Sequence, residues 1–335
     1  DNNVPMEFWR LLALYISSNT LSSVYWAIPF GQDEVNTMLN QAKEVLSWYD
    51  NMRNPVPTWY FKGYYLQYID GIPFKLKSTF DFSFMKEYGT VFKVYDDQDS
   101  GNICFGTEKD GQRYFVKFAG APTEQFGGDP ADAISRLKAT LPIYSDLKHE
   151  NLIELIEAKE IGDGFAMVFK WADSDCMGRM YPAAHRRFMQ LPINDRLAVF
   201  SDILSFLECV ASRKYVAIDF YDGSIMYDFV NGKTTICDID LFHKQPCVND
   251  MGRMWGSSRF QSPEEYQLGA DIDEITNVYT LGATAFALFG EYNRTREKWQ
   301  LSDKLFEIAT RAVSDDRTKR QQSIRQFTAE WEAAQ

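Results

Sequence analysis

The stretch "YVAIDFYDGSIMYDFVNGKTTICDID", residues 215–240, sets Asp219 and Asp238 nineteen positions apart. Between them the turn "VNGK" separates two short β-branched and aromatic runs, which predicts a β-hairpin with an acid on either side. Immediately upstream, "INDRLAVFSDILSFLECVASRKY" (193–215) has helical periodicity and Asn194 as a candidate N-cap. Downstream, "NVYTLGATAFALF" (277–289) is apolar nearly all round, which predicts a buried central helix. "SDKLFEIATRAV" (302–313) and "QSIRQFTAEWEAA" (322–334) read as two more helices.

Ahead of this helical part the texture is one of short strands. "TVFKVYDD" (90–97), "NICFGTE" (102–108) and "QRYFVKFAG" (112–120) are separated by "QDSG" and "KDG", the pattern of a three-stranded meander. A helix is expected from Pro130 through "ADAISRLKATL", with Pro142 kinking or interrupting it. Two further strands, "LIELIEAKEI" (152–161) and "FAMVFKW" (165–171), flank a "GDG" turn. Residues 1–80 stand apart: an amphipathic helix at Pro5–Ser17 followed by a loop, a second helix at Asp33–Met52, and an aromatic-rich hairpin within "VPTWYFKGYYLQYIDGIPFKLKSTF" (56–80). The expected architecture is α+β. It comprises an N-terminal extension (1–80), a small five-stranded β lobe with one helix (81–172) and a larger, mainly helical lobe (173–335).

Composition limits what the chain can do. With 335 residues, 45% hydrophobic and 15% aromatic, it can bury substantial cores. A formal charge of −12 argues against nucleic-acid or anionic-membrane binding, which needs clustered Lys and Arg. The five cysteines form no CxxC pair and no metal-ligand spacing with the histidines, so buried thiols in a reducing, cytoplasmic setting are expected. No apolar run reaches the roughly 18–20 residues of a membrane span.

The order of motifs resembles the protein-kinase superfamily from about Asp81 to Phe327. Lys117, in "YFVKFA" on the third strand of the meander, matches the lysine that contacts the α- and β-phosphates of ATP. "DSGNICFG" stands in the place of the glycine-rich phosphate loop and retains Gly101. "LKHENLIEL" resembles the segment after the kinase αC helix, and "MVFKWADSD" the fifth strand and hinge. Phe169 then falls at the gatekeeper, Lys170 to Ala172 at the adenine edge and Asp175 at a ribose contact.

In "AIDFYDGS" Asp219 takes the place of the catalytic-loop aspartate, and Ser224 that of an asparagine ligand to Mg²⁺. In "CDIDL" Asp238 stands for the metal-binding aspartate. "GSSRFQSPEE" (256–265) resembles the end of a protein-kinase activation segment, "NVYTLG" the start of the helix after it, and "SDDRTKRQQS" a motif near the carboxyl end. By that resemblance Glu264 pairs with Arg320.

The departures bear on mechanism. Ala217 and Ile218 replace a His-Arg pair, which removes the usual partner of an activation-segment phosphate, and Tyr221 replaces a lysine that neutralises the transferring phosphoryl group. Asn277 replaces a bracing aspartate and Asp240 a glycine. Where the αC acid should face Lys117 the chain has Ala139 and Thr140, and the partner of the lysine stays open, with Glu124 and Asp132 as the nearby acids.

The resemblance implies an atypical kinase that uses Mg²⁺ and ATP to phosphorylate serine or threonine on a protein. Two alternatives stand beside it: a pseudokinase scaffold with weak or no nucleotide binding that engages a protein partner, and a small-molecule phosphotransferase of the aminoglycoside type. "GSSRFQSPEE" argues against the last, while the short stretch between Gly290 and Ser314 allows it.

Overall fold

The computed structural model describes residues 6–49, 57 and 65–335. The chain is an α+β protein, with nine α-helices and several antiparallel sheets among the described residues. None of those helices is long and apolar enough to cross a membrane.

Helix α1 (Met6–Ala27) runs ten residues beyond the end expected at Ser17. Its polar residues do not break it, because the hydroxyls of Ser17, Thr20, Ser22 and Ser23 each donate to the carbonyl four residues back. Nor are its apolar side chains gathered on a buried face: Leu11, Leu14, Leu21 and Trp26 are all exposed. Helix α2 (Gln32–Ser47) packs against α1 after a turn at Gly31. Helix α2 ends at Ser47, with Trp48 as its C-cap, short of the expected end at Met52; residues 50–52 and most of the first half of the aromatic segment lie outside the described residues. The second half forms the hairpin of β1 (Tyr65–Ile69) and β2 (Ile72–Leu76) around Asp70 and Gly71, both at positive φ.

The meander forms as expected from β3 (Thr90–Tyr95), β4 (Asn102–Lys109) and β5 (Gln112–Ala119). After helices α3 (Pro130–Ala139) and α4 (Leu141–Asp146), strands β6 (Leu155–Ile161) and β7 (Gly164–Lys170) complete an antiparallel sheet in the order β3-β4-β5-β7-β6. Asp129 caps α3 by accepting the Ala131 N–H, and the chain breaks between α3 and α4 at Thr140, just before Pro142.

Alternation along β5 splits the sheet into two faces. Val116 and Phe118 pack with Phe74, Leu76, Phe82 and Met85, so residues 74–88 cover one face. Phe115 and Ala119 turn to the other face, among Met167, Phe169 and Tyr144. Lys117 lies on that second face.

Two-residue strand β8 (Asp175–Cys176) leads to α5 (Pro182–Met189) and α6 (Ile193–Ser212). Helix α6 is capped at Pro192 rather than at the expected Asn194, whose position is already helical; the Pro192 carbonyl accepts from both Asp195 and Arg196. Next come β9 (Tyr215–Val216) and the expected hairpin of β10 (Ile225–Asp228) and β11 (Lys233–Ile236). Strand β12 (His243–Lys244) then returns to pair with β9.

Helices α7 (Glu274–Phe289), α8 (Asp303–Ala312) and α9 (Ile324–Glu332) close the fold. Each opens on an N-cap whose side chain accepts a backbone N–H: Asp273, Ser302 and Ser323. Helix α7 is buried along almost its whole length, as its all-round apolar sequence requires.

Candidate functional site

The segment between β9 and β10 is suspended from α7. Asn277 accepts the Ala217 N–H at 2.7 Å and donates to the Tyr215 carbonyl at 3.1 Å, with its side chain fully buried. Ile218 joins an apolar cluster with Val216, Met254 and Ile272. With that end pinned, Asp219 takes left-handed backbone at φ +60°, and Asp238, beyond the hairpin, does so at φ +56°. Left-handed backbone is uncommon for residues other than glycine and costs of order 1 kcal/mol or more at each site. The two acids that flank the hairpin in sequence share that conformation in space.

Burial, together with the charges of Asp238 and Asp99, pushes the Asp219 carboxyl up to about 7; a backbone hydrogen bond from Ser257 works against them. Asp99 belongs to the β3–β4 turn and Ser257 to "GSSRF", so the two segments converge on Asp219. An acid poised near neutrality can accept a proton at physiological pH.

Across the cleft, β5 delivers Lys117. Its ammonium lies 3.2 Å from Asp238 Oδ1 and 2.8 Å from Asp240 Oδ2. The other Asp240 oxygen accepts the Tyr144 hydroxyl of α4 at 2.9 Å. Burial alone would pull the Lys117 pKa down, but Asp240 and then Asp238 outweigh it and hold the lysine charged. Burial and Asp240 together keep the Tyr144 phenol protonated.

The remaining sequence-derived positions fall into two groups. Ser224 and the segment 170–172 offer groups that face no protein partner. The Ser224 hydroxyl is fully buried and makes no hydrogen bond among the described residues. The Lys170 amide donates to Glu154 and the Trp171 amide to Arg113, while the Ala172 amide meets no protein acceptor among those residues.

Gly101 and Asp175 have plainer explanations. Gly101 sits at φ +84°, and a Cβ there would lie 2.7 Å from the Phe126 ring and 2.8 Å from Ala133, so packing against α3 demands the glycine. Asp175 is an exposed member of β8, paired with Tyr227 on β10.

Three elements of the site escaped sequence reasoning. Tyr144 reads as a core aromatic of α4, and nothing local shows that its hydroxyl meets Asp240. Asp222, three residues after Asp219, is buried and takes a two-pronged ion pair from Arg259 at 2.9 and 3.0 Å plus the Tyr292 hydroxyl at 2.6 Å. That triad ties the loop to "GSSRF". Asp99 is one of several acids in its turn, and only the fold brings it near Asp219.

Behind the loop stands the pair Glu264–Arg320. The Arg320 guanidinium donates to both Glu264 oxygens at 2.7 and 3.0 Å, with its side chain wholly excluded from solvent. The expected pairing across 56 residues therefore forms. Thr276 adds a hydrogen bond to Glu264 at 3.1 Å, and Arg317, held by Asp273, approaches it at 3.6 Å.

A comparison with models of known protein families finds none that matches the chain, and a comparison with curated proteins finds no match. The functional reading therefore stands on the residues and their geometry.

Proposed function

We propose that this protein is an atypical kinase with the two-lobed protein-kinase fold, transferring the γ-phosphate of ATP to a serine or threonine hydroxyl with Mg²⁺. The observation that carries the reading is the meeting of Lys117 with Asp238, 121 residues apart, where the charge of Asp238 in turn raises the Asp219 carboxyl. In support, the sheet order β3-β4-β5-β7-β6 and the Glu264–Arg320 pair occur where the motif order asks for them.

The residues fit a metal that is completed by its substrate. Ser224 supplies a buried oxygen with no partner among the described residues, and Asp238 an exposed carboxylate. Among the described residues there is no group of three or more His, Cys, Asp or Glu side chains arranged for a metal. Mg²⁺ bound through one or two protein oxygens takes its other ligands from phosphates and water, and it would neutralise charge on the transferring group. Lys117 would bind phosphate oxygens by its ammonium, the free Ala172 amide would meet the base, and Asp219 would orient the accepting hydroxyl and take its proton.

A second reading, a scaffold that binds nucleotide without transfer, is favoured by Tyr221. Tyr221 brings no positive charge to Asp219, whose carboxyl is raised by burial and by the charges of Asp238 and Asp99 against a hydrogen bond from the Ser257 backbone. Positioned positive charge at the transferring group is then limited to Lys117 and the metal.

The test is a thermal unfolding series with Mg-ATP, together with transfer of labelled γ-phosphate to the protein itself or to a generic substrate. Saturation at a hundred times the dissociation constant stabilises by about 2.7 kcal/mol. Transfer should vanish in Asp219→Ala and Asp238→Ala. Binding without transfer leaves the scaffold, and label that persists in both variants defeats the assignment.

A further inference from the structure

We propose that Asp240, steadied by Tyr144, is the positioning residue for Lys117, and that Asp238 is thereby left available for exchange with an incoming ligand. The two carboxylates on the lysine differ in every respect that matters. The Asp238 side chain is 56% exposed, makes the longer contact, and its second oxygen has no protein partner among the described residues. The Asp240 side chain is 18% exposed and makes the shorter contact, and its second oxygen is tied to α4 through the Tyr144 hydroxyl.

Tyr144 is itself immobilised, buried with its ring 5.1 Å from that of Phe169. Ile239, between the two acids, is completely buried and fixes the segment that carries them. Solvent screens the exposed pair and leaves the enclosed one strong.

Among the described residues Lys117 pairs with Asp238 and Asp240, and with neither Glu124 nor Asp132. On α4, Asp146 is occupied by the Tyr215 hydroxyl and Lys244. At the break between α3 and α4, Thr140 donates to the sulfur of Met167, the residue paired with Lys117 across β5 and β7. The sheet and the α3–α4 unit are thus joined to the 238–240 segment by one chain of contacts, Lys117 to Asp240 to Tyr144. That chain presets the ammonium before any ligand arrives.

The role in nucleotide binding rests on the function proposed above, whereas the preference of Lys117 for Asp240 does not. Two measurements separate them. The first, without nucleotide, is a pair of double-mutant cycles by urea unfolding, joining Lys117→Met to Asp240→Asn and to Asp238→Asn. The Lys117–Asp240 coupling should change the unfolding constant by about tenfold, and the Lys117–Asp238 coupling by clearly less. A coupling to Asp238 equal to or larger than that to Asp240 overturns the proposal.

The second compares affinities of folded variants for Mg-ATP and for adenosine. Asp240→Asn, and more mildly Tyr144→Phe, should weaken Mg-ATP, by about tenfold for Asp240→Asn, and leave adenosine unchanged. Equal loss of both ligands means a merely structural residue and refutes positioning. If Asp240→Asn does not fold, Tyr144→Phe carries both measurements, with its cycle drawn against Lys117→Met. A wild-type protein that binds no nucleotide refutes the kinase reading alone, and the unfolding cycles still decide the role of Asp240.

Discussion

Replacing Arg320 by alanine tests the frame of the site without any assumption about chemistry. The guanidinium donates to both oxygens of Glu264, to the Ser314 carbonyl at 2.7 Å and to the Ile275 carbonyl at 3.4 Å. It also lies 4.9 Å from the centroid of the Tyr279 ring. Removing it strands a carboxylate that is only 4% exposed. Breaking one side of a buried ion pair costs about 3–5 kcal/mol.

Thr276 and Arg317 remain near Glu264, and Arg317 at 3.6 Å can take up part of the charge, so the expected loss is toward the lower end, about 3 kcal/mol. Urea unfolding should show a fall in midpoint with an unchanged m-value. Adding Glu264→Gln should recover part of the loss, because the stranded charge is then gone.

The pH dependence supplies a second check. Burial raises the Glu264 carboxyl, but the Arg320 hydrogen bonds bring it to a net value below the ordinary 4.5. A depressed folded-state pKa contributes stability above the unfolded value and loses it as pH falls through the folded one. The gap between wild type and Arg320→Ala should therefore be constant only above the pKa to which burial lifts the stranded Glu264 of the variant, and shrink as pH falls from there through the depressed wild-type value. A loss under about 1 kcal/mol at neutral pH, or a gap that does not close in acid, would refute the reasoning.

Two further outcomes follow from the same region. Asn277→Ala leaves the buried Ala217 N–H without its acceptor, while the Tyr215 carbonyl keeps a hydrogen bond from the Gln245 side chain at 3.2 Å. It should destabilise by about 1–3 kcal/mol in urea unfolding, the cost of the one stranded group; an unchanged midpoint would show that the loop does not hang from α7. Burial pushes the Glu265 carboxyl up to about 7 from 4.5, against the hydrogen bonds from the Ser262 amide and hydroxyl. Its contribution is thus present below 4.5 and lost as pH rises through 7. Glu265→Gln, which keeps an acceptor for Ser262, should gain on wild type across that window and run parallel to it above; stability curves that stay parallel throughout would contradict this.

Much of this protein is legible along the chain because local physics writes it there. The meander, the 225–236 hairpin, the break at Pro142 and the buried α7 follow from side-chain period, turn residues and the missing proline N–H. Where local reading failed, another local force intervened: the hydroxyls of α1 satisfied their own helix, and Pro192 took the cap position expected of Asn194.

The Glu264–Arg320 pair was legible too, through the order of motifs. What only the tertiary structure decided is who meets whom at the cleft. Gly101 owes its identity to Phe126 and Ala133, Asp99 reaches Asp219, and Lys117 finds its enclosed partner in Asp240 through Tyr144. The helix that faces the lysine has no acid at that point, and an ammonium buried on β5 must be neutralised by whatever carboxylate packing brings within reach. Sequence spacing fixes which face a side chain takes, whereas the choice among several acids depends on distance and solvent exclusion, which exist only once the sheet has closed over the 238–240 segment.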